Sequence, residues 1–453
     1  MHIVIYTTNS NKQELNSMSV TCLPSCREQL GILLRTFADD KITIVLEKPG
    51  LFLLDTDFFK NQAGFLSVNP RLEYVFIDPE KDSVQEISDV ISGLSPDIAI
   101  SMTYWVAPFD WLSIKDSLIG ENLSQKGIRA VYHPSESSLI CFDKAKTRDF
   151  LLNNHFNIAK SVYIHHELFY AERNRLEIKN NVYKEYVFEK IKTLKLPVVV
   201  KDTTGLSSYG MDVCSTYAEV KHVLLSKKNN GDRLVEEFLK GSSFGVEIYG
   251  HKGNYAVSPV LVNSVNQFGL TSPKQNVKLG PVNHPKYNLE ALKKELIRLA
   301  EALKLNGIAQ VDLLFSDNKW YIIEINSRLS GMSQTIAAGC GLTVHELLVK
   351  SALSPLELQP VLDNSGFIMN IKFPLLTQEE LIKLNSLNFV YYVNQIQNLN
   401  AKQIRELGYT EVIFGGTKTV AELMEQLEIL RNTFGPKMEL VFYNNAKKLV
   451  KEL

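Results

Sequence analysis

Residues 321–331 read YIIEINSRLSG, a strand-like apolar pattern that becomes polar at every second position. Side chains alternate across a β-strand, so Glu324, Asn326 and Arg328 are expected on one face. The stretch just before it, IAQVDLLF, is a second strand-like pattern with Asp312 as its one acid. The segment SDNK that joins the two patterns predicts a β-hairpin.

The length of the hairpin turn decides which side chains meet. A three-residue turn of residues 317–319 would place Asp312 opposite Glu324, whereas a two-residue turn would put them on opposite faces. Two carboxylates and the Asn326 amide oxygen are hard ligands, and beside an arginine they suit Mg²⁺ shared with phosphates. We therefore expect the three-residue turn. The alternative, which the hairpin alone leaves open, is an edge strand with a solvated polar face.

A loop of small residues lies between two further strand-like stretches in LPVVVKDTTGLSSYGMDV, residues 196–213. Lys201 ends the first strand, and the loop that follows can surround a polyphosphate with backbone N–H groups and hydroxyls. The small residues of this loop are Gly205, Ser207, Ser208 and Gly210. A plain β-turn is the alternative. The Walker spacing is absent, which disfavours a P-loop NTPase.

Composition narrows the class of partner. The 453 residues have a formal net charge of -1 and no block of five or six basic residues, which disfavours a nucleic-acid or anionic-membrane surface and favours small-molecule partners. No run approaches the ~20 apolar residues of a membrane helix. The apolar run at the N-terminus is too short for a signal peptide, so we expect a cytoplasmic protein. Five scattered cysteines show neither zinc nor redox spacing.

The pattern of apolar and polar residues changes at several points along the chain. Residues 1–133 alternate short apolar strands with helical patterns, which predicts a parallel α/β sheet, although the first strand is not followed by a G-x-G-x-x-G loop. Next come the helical stretch CFDKAKTRDFLLNNH, the loop region and the hairpin. Residues 356–453 form a small α/β tail without visible chemistry, which begins with a proline-bearing connector.

The order of these pieces resembles the ATP-grasp superfamily over about 134–350. The first resembling part is a helix that begins with the dipeptide DK and contains Lys144. It is followed by an apolar strand that ends in a lysine and a flap rich in glycine and serine. The segment EEFL comes next, and then a hairpin with an aspartate on its first strand and the motif E-x-N-x-R on its second. Residues 127–154 look like the D-alanyl-D-alanine ligase and L-amino acid ligase side of that superfamily. The tail segment FGGTKTVAELMEQL is similar to the last domain of biotin-carboxylase-like members. For Lys144 alone, an exposed helix-face lysine is the alternative.

The resemblance implies an α/β multi-domain fold in four parts. These are an N-terminal parallel α/β domain (1–133), an ATP-grasp small lobe with the flap (134–240), a large lobe with the metal and substrate site (241–355) and a C-terminal α/β domain (356–453).

The resemblance also implies roles for individual residues. Lys144 and Lys201 would contact the phosphates of ATP beneath the 205–210 loop, and Arg328 would stabilise an acyl phosphate. The adenine edge would meet Glu236 and the backbone near Glu237 and Leu239. One or two Mg²⁺, with Mn²⁺ as an alternative, would be held by Asp312, Glu324 and Asn326. Many relatives have a Glu for the ribose where Ser243 stands, so either Glu247 or water substitutes, or the ribose is held loosely.

Substrate contacts are expected in the irregular stretch 262–285 and after Arg328. Lys274, Lys278 and His284 are candidates for a carboxylate clamp or a base, with solvated loop residues as the alternative. Ser330 and Gly331 would border the acceptor pocket.

The function implied is an ATP-dependent carboxylate-amine ligase that forms an amide or peptide bond through an acyl phosphate, with amino-acid substrates. Activation of another carboxylate, such as bicarbonate or a metabolite acid, is one alternative. A non-catalytic nucleotide-binding regulatory module is another. A homodimer stays an open alternative for the assembly.

Overall fold

The computed structural model describes residues 1–8, 20–47, 69–78, 83–103, 112–174, 177–205, 210–226, 230–266, 276–396, 404, 408–435 and 437–453. Its strands are β1 (His2–Thr7), β2 (Val20–Leu23), β3 (Lys41–Glu47), β4 (Leu72–Ile77), β5 (Ile98–Ser101), β6 (Ala130–Val131), β7 (Ser161–Ile164), β8 (Val198–Asp202), β9 (Met211–Cys214), β10 (Arg233–Glu237), β11 (Ser242–His251), β12 (Asn254–Val257), β13 (Leu261–Asn263), β14 (Lys278–Gly280), β15 (Asn306–Ser316), β16 (Lys319–Asn326), β17 (Phe367–Pro374), β18 (Val390–Ile396) and β19 (Tyr409–Thr417).

The helices are α1 (Cys26–Thr36), α2 (Val84–Gly93), α3 (Leu112–Gln125), α4 (Ser135–Phe142), α5 (Lys144–Asn153), α6 (His166–Phe169), α7 (Ala171–Asn174), α8 (Val182–Ile191), α9 (Tyr217–Leu225), α10 (Leu289–Ala302), α11 (Ser333–Gly339), α12 (Val344–Leu353), α13 (Pro355–Asp363), α14 (Gln378–Asn385), α15 (Val420–Phe434) and α16 (Leu440–Leu449). Single 3₁₀ turns occur at Pro285–Tyr287 and Val450–Glu452.

The N-terminal strands form the predicted parallel sheet, in the order β4-β3-β1-β5-β6. All four strand pairs are parallel. Strand β1 is buried on both faces, as its unbroken apolar run requires. Helix α1 begins with a capping box in which Ser25 and Glu28 satisfy each other's backbone N–H groups.

The flap region belongs to a separate antiparallel sheet of four strands, in the order β7-β10-β8-β9. Strand β10 leads directly into β11, which lies in a different sheet. The segment EEFLKGS therefore crosses from one sheet to the other.

The remaining strands form one ten-stranded sheet. Its path is β16-β15-β11-β13-β14-β17-β19-β18-β2, and β12 pairs with β11. Its two faces bury separate cores, one that includes Leu292, Leu296 and Leu299 of α10, and one shared with the parallel sheet and with α11 and α12. Strands from the predicted segments 241–355 and 356–453 lie side by side in this sheet, so the proposed boundary at 355 does not divide it.

Two local predictions differ from the structure. The single helix expected over CFDKAKTRDFLLNNH is two helices, α4 and α5, because the Asp143 carboxylate caps α5 by accepting from the backbone N–H groups of Ala145 and Lys146. The connector expected after α12 is helical from Pro355 to Asp363. Proline is tolerated in the first turn of a helix, where its missing N–H has no intrahelical partner.

Within the described ranges, no individual helix has the length and apolar composition needed to cross a membrane, although α11 and α12, bent by 88°, meet those criteria as a pair.

Candidate functional site

The β15–β16 hairpin pairs Asp312 with Glu324, as predicted, but by a different route. The expected three-residue turn is wrong, because Lys319 pairs with Ser316 and the turn consists of Asp317 and Asn318 alone. Both turn residues have positive φ, 49° and 57°, the conformation that suits a two-residue hairpin.

A β-bulge restores the pairing that the short turn would otherwise prevent. Asp312 pairs with Glu324 whereas Leu313 pairs with Ile322, so Ile323 is an extra residue in β16. One extra residue shifts every following side chain to the other face. The bulge therefore brings the Glu324 carboxylate onto the same face as Asp312.

The two carboxylates differ in their electrostatic environment. Burial raises the pKa of the Asp312 carboxyl to about 7, and the charge of Glu324 acts in the same direction. Burial also raises the pKa of Glu324, but the charges of Lys144, Lys201 and Arg328 outweigh it, so its pKa lies below the usual value. A pair of like charges in this position favours a cation between or beside them.

This donor set fits Mg²⁺ held jointly with phosphate oxygens. No group of three or more His, Cys, Asp or Glu side chains able to hold a metal occurs in the described part of the chain. Mg²⁺ needs only one or two carboxylates when phosphates and waters complete its octahedron. Asp312, Glu324 and the Asn326 amide oxygen meet that requirement.

Gln310 and Arg328 fix the amide of Asn326. Asn326 Nδ2 donates to Gln310 Oε1 at 2.9 Å, and Gln310 Nε2 donates to Asp312 Oδ1 at 2.5 Å. Arg328 Nη2 donates to Asn326 Oδ1 at 3.0 Å. Arg328 is only 8% exposed, so its guanidinium lies inside the site rather than in solvent.

Lys144 connects the hairpin to the flap. Its Nζ lies 3.0 Å from Glu324 Oε1 and donates to the Gly205 carbonyl, also at 3.0 Å. Its backbone N–H donates to the Thr203 carbonyl at 2.7 Å. Lys144 therefore lies between the base of the flap and the acidic end of the hairpin, and the exposed-lysine alternative does not apply.

Lys201 and Glu236 form an ion pair on neighbouring strands of the four-stranded sheet. Both residues line a cleft between the two sheets, and its empty space of about 330 Å³ includes open solvent. The lining residues are Lys144, Thr147, Arg148, Leu151, Ile158, Ala159, Lys201, Glu236, Ile322 and Ile323. A cleft with apolar walls and charged groups at its end can accept a flat base joined to phosphates.

The flap is described only at its base. Strands β8 and β9 pair as expected, with Lys201 opposite Met211. Gly205 and Gly210 have φ of 132° and 72°, a region that favours glycine. Ser207 and Ser208 lie outside the described residues.

The remaining predicted adenine contacts, Glu237 and Leu239, lie close in sequence to Glu236, which lines the cleft. The Glu237 carboxylate accepts a hydrogen bond from the Lys195 backbone N–H at 2.9 Å, so it stabilises the segment that leads into the four-stranded sheet. Leu239 lies two residues after the end of β10, in the crossing segment. Glu247 does not replace the missing ribose ligand at Ser243, because Glu247 is fully buried and its carboxylate is hydrogen-bonded elsewhere.

The partners of Glu247 shape the turn that follows Arg328. Glu247 Oε1 accepts from the hydroxyls of Ser330 and Ser333, at 2.9 and 2.6 Å, and Oε2 accepts from Tyr249. The Met332 N–H donates to Ser330 Oγ. Ser330 therefore holds this turn in place, and Gly331 beside it is exposed.

The N-terminal sheet supports the same turn from the other side. The Leu329 N–H donates to the Thr103 carbonyl at 3.0 Å. Thr103 Oγ1 donates in turn to Asp116 on α3, which also accepts from Thr8 and Ser101. Thr8 and Thr103 follow β1 and β5, at the carboxyl edge of the parallel sheet, where open α/β sheets bind ligands.

The predicted substrate residues have different outcomes. Lys278 lies close to the site, because its Nζ donates to the Gly331 carbonyl at 2.9 Å. His284 lies away from this group, since its ring faces Tyr287 of the aromatic cluster on the opposite face of the sheet from Asp312. Lys274 lies outside the described residues.

The sequence reasoning missed Gln310, the structural role of Glu247, and Lys372 with Glu411 in the tail. Gln310 and Glu247 are polar residues in otherwise apolar strands, and Gln310 lies two positions before Asp312 on the same face. Lys372 and Glu411 are likewise isolated charges in apolar strands and form a buried ion pair. An isolated charge in a buried strand was the available signal.

Residues 141–332 match a family model described as the ATP-grasp domain. A carbamoyl-phosphate synthase from Methanobrevibacter smithii is 24% identical over 191 residues, which are 42% of this chain and 51% of the relative. A D-alanine-D-alanine ligase A from Clostridium perfringens is 29% identical over 227 residues, 47% of this chain and 67% of the relative. A D-alanine-D-alanine ligase from Pelagibacter ubique is 24% identical, and the match covers 62% of this chain and 85% of the relative.

Solved structures share the fold over nearly the whole chain. An L-amino acid ligase from Bacillus licheniformis has a TM-score of 0.62 at 16% identity and covers 95% of this chain and 97% of its own. The N5-carboxyaminoimidazole ribonucleotide synthetase from Thermus thermophilus has a TM-score of 0.60 at 12% identity and covers 95% and 98%. Identities this low establish similarity of fold alone.

Proposed function

Because residues 141–332 match the ATP-grasp domain model, we propose that this chain is an ATP-dependent carboxylate-amine ligase that joins amino acids through an acyl phosphate. The observation that carries the proposal is that Lys144, which lines the cleft, contacts Glu324, the partner of Asp312 in the hairpin. Arg328 joins the same group through Asn326. The similarity to D-alanine-D-alanine ligases is the support for amino-acid substrates. The fold similarity to a solved L-amino acid ligase is consistent with that choice.

The reaction needs positioning and charge neutralisation rather than a covalent nucleophile. A carboxylate oxygen of the acid attacks the γ-phosphorus of ATP, and ADP leaves. The amine nitrogen then attacks the carbonyl carbon and loses a proton, and phosphate leaves with the electrons of the C–O bond. Lysines, backbone amides and an arginine arranged in advance lower the cost of the developing negative charge.

We assign one task to each group of side chains. Lys144 and Lys201 neutralise the phosphates, and Arg328 meets the charge that develops on the acyl group. Asp312, Glu324 and Asn326 would hold Mg²⁺, which would supply neutralisation of phosphate charge when bound. The 205–210 loop excludes water, which would otherwise hydrolyse the acyl phosphate.

A phosphate-release assay over pairs of amino acids tests this function. The proposal predicts release that requires ATP, Mg²⁺ and a particular acid-amine pair, with the ligated product detected by mass spectrometry. Release with one acid and no amine-dependent product would instead favour activation of another carboxylate. ATP binding without release for any acid would favour a regulatory module and contradict the proposal.

A further inference from the structure

The face of the ten-stranded sheet that carries Asp312 continues as a polar strip into the C-terminal strands. Asp312 pairs with Gly245 on β11, and across the next strands Asn263 pairs with Lys278, and Lys278 with Asn370. The strip ends at Lys372 and Glu411, which pair between β17 and β19. We define the polar strip as Asn263, Lys278, Asn370, Lys372 and Glu411. The tail expected to lack chemistry therefore contributes three of its five members.

The far end of the strip is internally neutralised. The Lys372 ammonium is ion-paired with Glu411, and Asn370 Nδ2 donates to the same carboxylate at 2.9 Å. Burial lowers the pKa of Lys372 to about 8, although Glu411 raises it. Burial raises the pKa of Glu411, but the charges of Lys372 and Lys278 outweigh it and keep the carboxylate ionised. Glu411 thus has a cation of its own.

Lys278 has no such partner. Its Nζ donates to the neutral Gly331 carbonyl, and no carboxylate in the described ranges lies within 4.0 Å of it. Burial lowers its pKa, against the attraction of Glu411, Asp312 and Glu247. The ammonium of Lys278 can therefore pair with an anion that binds beside the Gly331 carbonyl.

Asn263 offers a second unused group. Its side chain lies on the same face, because its Nδ2 is 3.5 Å from where a Cβ on Gly245 would be. Asn263 is 5% exposed, and among the described residues no donor reaches its Oδ1. A buried amide oxygen without a donor is costly unless a ligand satisfies it.

We propose that Lys278 and Asn263 bind the amino acid whose amino group attacks the acyl phosphate, Lys278 through its carboxylate and Asn263 Oδ1 through its amine N–H. This inference rests on the proposed function. It makes the acceptor an α-amino acid rather than ammonia or a simple amine. The Lys372–Glu411 pair forms the neutral wall behind it.

The side chain of Lys278 spans part of the distance between its strand and the turn that follows Arg328. Lys278 lies three strands from Asp312, or about 14 Å at about 4.8 Å per strand. The lysine side chain reaches back to Gly331, three residues after Arg328. Asn263 lies on the strand between, nearer Asp312 than Lys278 is. An α-amino acid bound by its carboxylate at Lys278 would thus direct its amine towards the Arg328 end.

Steady-state kinetics of Lys278→Met with matched acceptors test the carboxylate contact. The probes are the acceptor amino acid that the phosphate-release panel selects and the same compound as its carboxamide. We expect the KM for the amino acid to rise roughly 10- to 100-fold, the effect of losing a charge-assisted hydrogen bond. The KM values for ATP and for the carboxamide should equal those of wild type. Lys294→Met, an exposed lysine on α10, is the matched control.

Two other kinetic outcomes would overturn the assignment. Equal losses for the amino acid and its carboxamide would show that Lys278 acts on the structure of the site. A rise confined to the KM of the donor acid would show that the bound carboxylate belongs to the other substrate. Asn263→Leu supplies an independent check, because it should raise the KM for both acceptor forms, which share the amine.

Equilibrium binding separates this inference from the proposed function. We would titrate the twenty amino acids and their carboxamides into the full chain with MgADP and record the heat. Carboxylate-selective binding that Lys278→Met abolishes, without any phosphate release, would support the subsite and contradict the ligase. Ligation with acceptors that lack a carboxylate, and no selective binding, would support the ligase and overturn the subsite.

Discussion

Replacing Asp116 by Asn should change how the stability of the protein depends on pH. Asp116 lies on α3, is 1% exposed, and accepts hydrogen bonds from Thr8, Ser101 and Thr103. Burial raises its pKa from 3.8 to about 7, although the hydroxyl groups favour the charged form. Thr103 also supports the turn that follows Arg328, so the protonation state of Asp116 bears on the candidate site.

The sign and size of the effect follow from that shift. The folded state binds the proton of Asp116 more tightly than the unfolded state, so its contribution to stability is complete below pH 3.8 and is lost as pH rises through 7. A difference of about 3 pKa units at 1.36 kcal/mol per unit corresponds to about 4 kcal/mol. Between pH 4 and pH 8, the free energy of unfolding of wild type should fall by about that amount relative to Asp116→Asn.

Urea unfolding followed by circular dichroism at several pH values between 4 and 8 measures this. Taking the difference between wild type and Asp116→Asn cancels the titration of other groups, and Asp149→Asn, at an exposed aspartate, is the control. Parallel curves for wild type and Asp116→Asn would refute the reasoning. They would mean that the carboxylate stays ionised inside the fold, stabilised by its three hydroxyl donors.

Three further predictions concern kcat, the Mg²⁺ requirement and the KM for ATP. Arg328→Ala should lower kcat about 100- to 1,000-fold with little change in ATP affinity, since the guanidinium meets charge that develops during reaction; unchanged kcat would contradict its role. Glu324→Gln should raise the Mg²⁺ concentration for half-maximal activity about 10-fold or more, and a titration identical to that of the surface variant Glu295→Gln would count against the metal site. Lys144→Met should raise the KM for ATP about 10-fold by loss of a charge-assisted contact, whereas Lys146→Met, exposed on the same helix, should leave it unchanged.

The hairpin shows how far local pattern can go. Alternation placed Glu324 and Asn326 on one face, and the requirement for two neighbouring carboxylates predicted the Asp312–Glu324 pair correctly. The turn was nevertheless wrong, because a two-residue turn with a bulge gives the same final register as a three-residue turn without one. The need for two neighbouring carboxylates constrains the final register, but more than one combination of turn and bulge can produce that register.

Contacts between distant segments could not be predicted in this way. Two of the three partners of Glu247 are 83 and 86 residues away. Lys278 lies in a stretch without a regular pattern and pairs with a strand of the tail, for which the sequence predicted no chemistry. Periodicity reports which face of a strand is buried, but it does not report which strand lies beside it. The polar strip became visible only when sheet order joined residues 263, 278, 370 and 411.

Strand β2 has a consequence for how the protein is made. Residues 20–23 close the far edge of the ten-stranded sheet by pairing with Val393–Ile396. During synthesis this early segment has no pairing partner until Val393–Ile396, about 370 residues later in the chain, has left the ribosome. Closure of a loop that long is slow and leaves an unpaired edge exposed meanwhile. We expect C-terminally truncated chains to aggregate through that edge rather than to accumulate as a folded N-terminal portion.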